Sequence, residues 1–325
     1  MKLSRYFIPV IAAFALVMTS CERVLGFDEG GDDLKKIAIS VIASPDTTLE
    51  AIVARTYYAG DIEEDSVKYL SQYRYEASLG NATVTYSVNG SVPKQMTYDA
   101  VNYRFRCDYR PAEGDEIVIS ASEPNYPTAT ATTVIPVAPS LEILSADKYQ
   151  SLWTSEMIET DEHRDWYGQD TVVDVTLRMK NISSDGYYRL KVRSSAPIEV
   201  DGKIVYRVMD VFTSTDELFK DVQLTTYRGL WRREFSNLFE GKAVNGSEYE
   251  CTVTSRLRKA DYGKRMIIVE VQRISEDLYR YLKSVELYQV TERGAYSDDV
   301  QIYSNVADGY GIVGSLSGYS QSLVF

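Results

Sequence analysis

Short runs of alternating apolar and polar residues recur along this chain, and turn residues separate them. Val84, Tyr86 and Val88 share one parity of residues 82–88, and Asn89-Gly90 follows directly. Successive side chains of a strand point to opposite faces, so a period of two marks a half-buried strand. Asn-Gly suits a hairpin turn whose two central residues need positive φ. Residues 37–42, 49–57, 103–109, 116–121 and 128–135 extend the pattern, with turn residues at Pro45-Asp46 and around Gly114. The pattern resumes after Pro136-Val137-Ala138-Pro139, where two prolines stiffen the chain and oppose strand pairing. Val173, Val175, Leu177 and Met179 share one face of 172–179, and Tyr188, Leu190 and Val192 oppose Arg189, Lys191 and Arg193. Residues 204–211, 249–253 and 266–271 follow, while 212–241 is ambiguous between loop and short helix. One helix is well marked near 275–286: Ser275 suits the N-cap, Glu276 and Asp277 suit the positive helix end, and Leu278, Tyr281, Leu282 and Val285 form one stripe. The fold class expected is all-β. Two antiparallel β-sandwich-like domains are predicted, an Ig-like one over 37–138 and a sandwich or barrel-like one over 139–325, the latter carrying the short helix.

The first 20 residues read as a signal peptide. Lys2 and Arg5 precede an apolar run over 7–18, and small residues Thr19 and Ser20 precede Cys21. The 12-residue run is too short for a membrane span, which takes about 20 residues. Leu16-Val17-Met18-Thr19-Ser20-Cys21 resembles a bacterial lipobox, with Met18 in place of the usual Leu. That resemblance implies cleavage before Cys21 and acylation of its sulfur and amine. Residues 21–36 then form an acidic tether containing Asp28-Glu29-Gly30-Gly31-Asp32-Asp33, similar to a surface-export signal of Bacteroidota lipoproteins and equally readable as a solvated linker.

Loss of Lys2 and Arg5 leaves 33 basic against 47 acidic residues, a net charge of −14. That sign disfavours nucleic acid and electrostatic adhesion to anionic lipid. Attachment to a membrane then falls to the lipid, and because one acyl chain anchors marginally, to several chains. Of three cysteines, Cys107 and Cys251 both fall on the apolar parity of strands. They are assigned to different domains, which favours two separate thiols over a disulfide and leaves pairing open.

Patterns of chemistry are thin. Gly309-Tyr310-Gly311-Ile312-Val313-Gly314 spells G-x-G-x-x-G, but the chain has 11 residues left after Gly314. A dinucleotide site needs a helix, a strand and an acidic residue about 20 positions on. The segment therefore reads as a Gly-rich turn and terminal strand. His163 is the one histidine and lies in unpatterned sequence, and Asp61-Ile62-Glu63-Glu64-Asp65 lacks the spacing of a calcium loop. No cofactor or metal is expected, and no spacing selects a catalytic pair of carboxylates. The chain carries 26 Tyr, which suit half-buried sheet faces and also stack on ligands. Residues 147–170 read as a long polar excursion without period. Trp153, Trp166 and Tyr167 within it are the candidate ligand or partner contacts. Trp231 also lies off the clean strands and is read as core.

The helix with its Tyr279-Arg280-Tyr281-Leu282 core, the Tyr303-Ser304-Asn305 turn and the Gly-rich close at 309–314 together resemble the C-terminal signature of a Bacteroidota lipoprotein family. That family is catalogued as domain of unknown function four-two-four-nine. Residues 111–115, Asn125-Tyr126-Pro127 and the Thr-rich strand ending at Pro136 resemble its first domain. Asp308, Tyr310 and Val313 depart from its usual residues. The resemblance implies a two-domain, all-β outer-membrane protein, often encoded beside a TonB-dependent transporter, and it carries over no catalytic residues. The function expected is a non-catalytic, lipid-anchored surface protein that binds such a nutrient transporter or its substrate. A periplasmic-facing location is the alternative. An adhesin or fimbrial subunit is the second functional class, and a surface glycan hydrolase the third.

Overall fold

A computed structural model describes residues 35–56, 77–151, 170–210, 212–219, 226–227, 230–231, 236–257, 263–291 and 301–325. In chain order the strands are β1 (Ile37–Ala43), β2 (Glu50–Arg55), β3 (Thr83–Val88), β4 (Lys94–Gln95), β5 (Thr97–Asp99), β6 (Arg104–Arg106), β7 (Glu116–Ser122) and β8 (Ala129–Val134). There follow β9 (Ser140–Ser151), β10 (Asp170–Lys180), β11 (Tyr187–Val200), β12 (Lys203–Asp210), β13 (Phe212–Thr213), β14 (Thr226–Tyr227), β15 (Leu230–Trp231), β16 (Leu238–Glu240), β17 (Glu248–Arg256) and β18 (Met266–Ile274). Helix α1 (Glu276–Thr291) precedes the last strand, β19 (Gly309–Val324). The protein is all-β and sandwich-like, as the alternation predicts.

The first core lies between β1-β2-β6-β5 and the sheet β4-β3-β7-β8. Ile37, Ile39, Val41 and Ala43 project inward from β1, Val84 and Tyr86 from β3, and Ile117, Ile119 and Ala121 from β7. Each large aliphatic side chain buried this fully favours folding by about 1.5–3 kcal/mol. Asn89 and Gly90 take positive φ, 51° and 71°, as the hairpin signal requires. Asn89 does more than turn. Its Oδ1 accepts the Glu116 N–H at 2.8 Å and its Nδ2 donates to Asp115 Oδ1 at 2.9 Å, clamping the β3 turn to the start of β7.

The second core lies between the sheet β13-β17-β10-β9 and strands β11 and β18. Val173, Val175, Leu177 and Met179 of β10 are fully buried there, as are Tyr188, Leu190 and Val192 of β11. Within 212–241, Phe219 sits in a one-turn helix and packs edge-on against Phe212 and Phe239.

The two cores divide near Pro136-Val137-Ala138-Pro139, with one exception. Strand β19 serves both. Residues Gly309 to Ser315 pair with β1 in parallel, and Leu316 to Val324 pair with β18 antiparallel. Val306 and Val313 consequently belong to the first core, far from it in sequence. The parallel ladder departs from the wholly antiparallel pattern expected: β1 and β19 are not joined by a hairpin, which would oblige them to run antiparallel. Three further expectations are corrected. Strand β6 spans Arg104–Arg106 only, since Tyr103 takes φ 52° and forms a turn. The helix continues to Thr291. Residues 147–151 are strand, paired with 174–170.

Candidate functional site

The aromatic excursion is carried by a long hairpin arm. Strands β9 and β10 pair from Ser140↔Lys180 to Ser151↔Asp170, so residues 152–169 connect the ends of a continuous ladder. The register shifts between Leu177↔Ile143 and Thr176↔Ser145, which leaves Leu144 as a bulge. That extra residue inverts the parity of β9: Leu141 and Ile143 oppose buried residues before it, and Ala146 and Lys148 after it. The inversion explains why 147–151 look unpatterned. Beyond the bulge β9 is an exposed edge, with Leu144 and Tyr149 open to solvent. Asp147 and Lys148 on this edge discourage unwanted strand pairing.

Across the outer face of the arm, polar side chains bond from strand to strand. The Tyr149 hydroxyl donates to Asp174 Oδ1 at 3.3 Å, and Thr254 donates to the same oxygen at 2.5 Å. Burial and the neighbouring Asp174 charge raise the Tyr149 pKa, so the phenol stays a donor. Arg178 bridges Glu250 and Glu142, and Lys180 pairs with Glu142 at 2.6 Å. These half-exposed ion pairs contribute little to stability and instead give the arm a solvated face.

On the inner side, the Tyr249 hydroxyl donates to Asp216 Oδ1 at 2.8 Å next to Cys251. Burial, then the hydrogen bond to Asp216, pushes Tyr249 up to about 12. Burial, then the Asp216 charge, pushes the Cys251 thiol up to about 12. A thiol held protonated in this way is a poor nucleophile and metal ligand. Cys107, half-buried in the first core, donates weakly to Leu49 O at 3.6 Å and is likewise raised by burial. Both cysteines are free, one in each core.

Two other places resemble sites. A cleft of about 380 Å³ opens in the first sandwich, lined by Gly80, Asn81, Gln95, Met96, Tyr98 and Phe105. It holds no charged side chain. Ser236, Lys283 and Glu286 form the second. Ser236 Oγ donates to Glu286 at 2.9 Å and accepts from Lys283 Nζ and the Leu238 N–H, both at 3.1 Å. Its donor and both acceptor positions are occupied, and Ser236 is buried. The cluster therefore ties α1 to β16 and does not present a nucleophile. Among the described residues no group of three or more His, Cys, Asp or Glu is placed to hold a metal ion. No described helix is long and apolar enough to cross a membrane.

Cys21, Trp153, Trp166, Tyr167 and His163 lie outside the described residues, as do Asp61 to Asp65 and nearly all of the tether. Trp231 falls in β15, and its side chain also lies outside them. The structure places Ser151 and Asp170, which flank residues 152–169, and not the aromatics.

The C-terminal signature is a packing device. Asn305 mimics a strand: its Oδ1 accepts the Val313 N–H at 3.0 Å, and its Nδ2 donates to Val313 O at 2.9 Å. The same amide donates to Asp277 in the first turn of α1 at 3.1 Å, and the Tyr303 hydroxyl donates to the other Asp277 oxygen. Ser275 Oγ accepts the Leu278 N–H as an N-cap and also the Ser315 N–H at 3.1 Å. Glycines permit the close approach. A Cβ on Gly311, whose φ is 106°, would sit 2.1 Å from Ile39 O, and one on Gly314 would meet Leu278 Cβ at 2.8 Å. The G-x-G-x-x-G run is thus strand backbone, as expected of a terminal strand, and it is pressed against β1 and α1, which its spacing does not show.

Among curated proteins, none matches this chain. A family model described as "Domain of unknown function (DUF4249)" matches residues 28–322. That span includes both cores, the hairpin arm and the helix-to-β19 signature, and the chain belongs to the DUF4249 family.

Proposed function

We propose that this chain is a lipid-anchored protein of the outer membrane, facing the cell surface, that binds a TonB-dependent nutrient transporter or that transporter's substrate and catalyses no reaction. The observation that carries the reading is the lipobox-like order ending at Cys21, on a chain whose net charge gives it no electrostatic hold on anionic lipid. The hairpin arm supports the binding half of it. Twelve-residue β9 and its partner hold both ends of the segment with Trp153, Trp166 and Tyr167, so capture by that segment starts from a fixed base. Rigid scaffolds commonly present binding loops in this way.

Two measurements test the reading. Cys21→Ala should release the protein from the outer-membrane fraction, and full retention of this variant there would refute lipid anchoring. Trp153→Ala with Trp166→Ala should reduce co-purification of the transporter severalfold while the melting temperature stays within about 2 °C. Loss of several degrees with binding intact would assign those rings to a core. Digestion of intact cells by added protease distinguishes the surface from the periplasmic face.

A further inference from the structure

Strand β12, at the end of the long sheet, differs from β9, at one edge of the four-stranded sheet. Asp201 and Gly202 take φ 51° and 72°, the two-residue turn joining β11 to β12 with Val200 opposite Lys203. Strand β18 reaches Ser195 of β11 and stops, so beyond that point β12 is the only ladder partner of β11 among the described residues. The outer edge of β12 has no strand partner among the described residues. Ile204, Val205, Tyr206 and Val208 are 62%, 40%, 63% and 53% exposed. Edge β9 carries a bulge and an Asp-Lys pair, protections against strand addition, whereas the β12 ladder has no register shift and its Lys203 and Arg207 lie on the parity opposite to Ile204, Tyr206 and Val208. Ser194, Ser195 and Ala196 of β11 are buried, so the apolar surface left open to water in this hairpin lies mostly on β12.

The chemistry of β12 selects a second β12. The pair closing a two-residue turn exchanges both backbone hydrogen bonds, so Lys203, Val205 and Arg207 point their N–H and C=O groups at β11. Ile204, Tyr206 and Val208 point theirs outward. An antiparallel partner must set outward-pointing residues opposite outward-pointing ones, which removes every register shifted by a single residue. Among the remaining central registers, one places Lys203 opposite Arg207 of the second copy, and another places Arg207 opposite itself. Like charges directly opposite are destabilising. The register between them puts Tyr206 opposite Tyr206 on the two-fold axis, Ile204 opposite Val208, and Val205 opposite Arg207. It sets no like charges opposite each other, forms about six inter-strand hydrogen bonds and joins the two apolar triads into one strip.

We propose that β12 is a homodimer contact in which two copies pair antiparallel about Tyr206. A strand pair of this length lies below about 1,000 Å² and predicts dissociation in the micromolar range or weaker. The mature chain, solubilised in mild detergent, should therefore sediment at twice its monomer mass at high concentration. Val208→Lys sets a charge in the strip on both sides of the axis and should return the monomer mass with an unchanged melting temperature. Oxidative cross-linking in membranes gives a separate readout. Tyr206→Cys places two thiols in a hydrogen-bonded pair, with Cα atoms about 5.5 Å apart, within disulfide reach. Ile204→Cys places its thiols four residues out of register, beyond reach. Tyr206→Cys should cross-link at least tenfold faster than Ile204→Cys. A wild-type chain that stays monomeric, a Val208→Lys chain that stays dimeric, or equal cross-linking of the two cysteine variants each overturns the proposal. Protection of β12 seen only when an unrelated partner is added overturns it too.

Discussion

Residues 309–315 and 316–324 form one continuous strand, yet they meet their neighbours in opposite ways. The first half, Gly309-Tyr310-Gly311-Ile312-Val313-Gly314-Ser315, runs parallel to β1 and lies under α1. The second, from Leu316 onward, mixes three serines with larger residues and runs antiparallel to β18. Glycine appears three times in the first half because neighbours press on the backbone there, Ile37 O at Gly309, Ile39 O at Gly311 and the Leu278 side chain at Gly314. In the second half, Gly318 would set a Cβ 3.1 Å from Gln272 Cγ and 3.2 Å from Val271 O, tight but near ordinary contact. Composition along one strand thus records how closely its neighbours approach, and the closest approach is where the chain's end completes the core of its beginning.

The largest expected effect follows from that completion. Residues 35–138 expressed alone lack Val306, Val313 and the seven-residue partner of β1, and should show no cooperative melt. The intact chain nicked by protease at an inserted site between Val137 and Ala138 should keep its two parts together until denaturant is added. A cooperative melt from the first fragment alone would show that the strand is an accessory to that core. Separation of the nicked parts in native buffer would show the same.

A smaller contrast separates the two halves of β19. Gly311→Ala demands a positive φ that L residues rarely adopt and drives a Cβ onto Ile39 O, two costs of about 1–3 kcal/mol each. Gly318→Ala meets a displaceable side chain and should cost about 1 kcal/mol or less, because Ala also orders a strand better than Gly does. For a body of this size that is roughly 4–24 °C against at most about 2–4 °C in Tm. Equal losses would mean that the parallel ladder is no tighter than the antiparallel one.

Much of this was legible in the sequence, because period two is a local property. The inward faces of β3, β10 and β11 are the ones the alternation predicts, and Asn89-Gly90 turns where its residue types require. The Ser275 cap holds, and of the expected stripe Leu278 is buried with Tyr281 and Leu282 packed beside it, since capping and amphipathicity act within a few residues. What escaped was non-local or interrupted the period. Strand β19 is assigned to the first core by hydrogen bonds reaching back to residue 37, and no spacing encodes that. The Leu144 bulge inverts a parity and disguises 147–151 as loop. Asp201-Gly202 was a usable hairpin signal, and the exposure of β12 depends on where β18 stops. Asp277, Tyr303 and Asn305 carried the family likeness as motif residues, while their mutual hydrogen bonds required the fold.

The smallest expected effect compares the thiols of the two cores. Cys251 is buried more deeply than Cys107, and its pKa is pushed up to about 12 from an ordinary 9.0. The unfolded chain therefore loses that proton above about pH 9, while the folded chain keeps it until about 12. Unfolding is favoured progressively across that window, and below pH 9 the group has no influence on pH dependence. At pH 10 the difference approaches about 1 kcal/mol. Tyr249, also pushed up to about 12, acts with the same sign at slightly higher pH. Denaturant titrations from pH 8 to 10.5 should thus give a falling stability whose slope flattens in Cys251→Ala, irrespective of the constant loss from the missing sulfur. Cys107→Ala should flatten it less, because a half-buried thiol is nearer to its solution behaviour. Identical slopes in the wild type and Cys251→Ala would mean that water reaches the second core at this position.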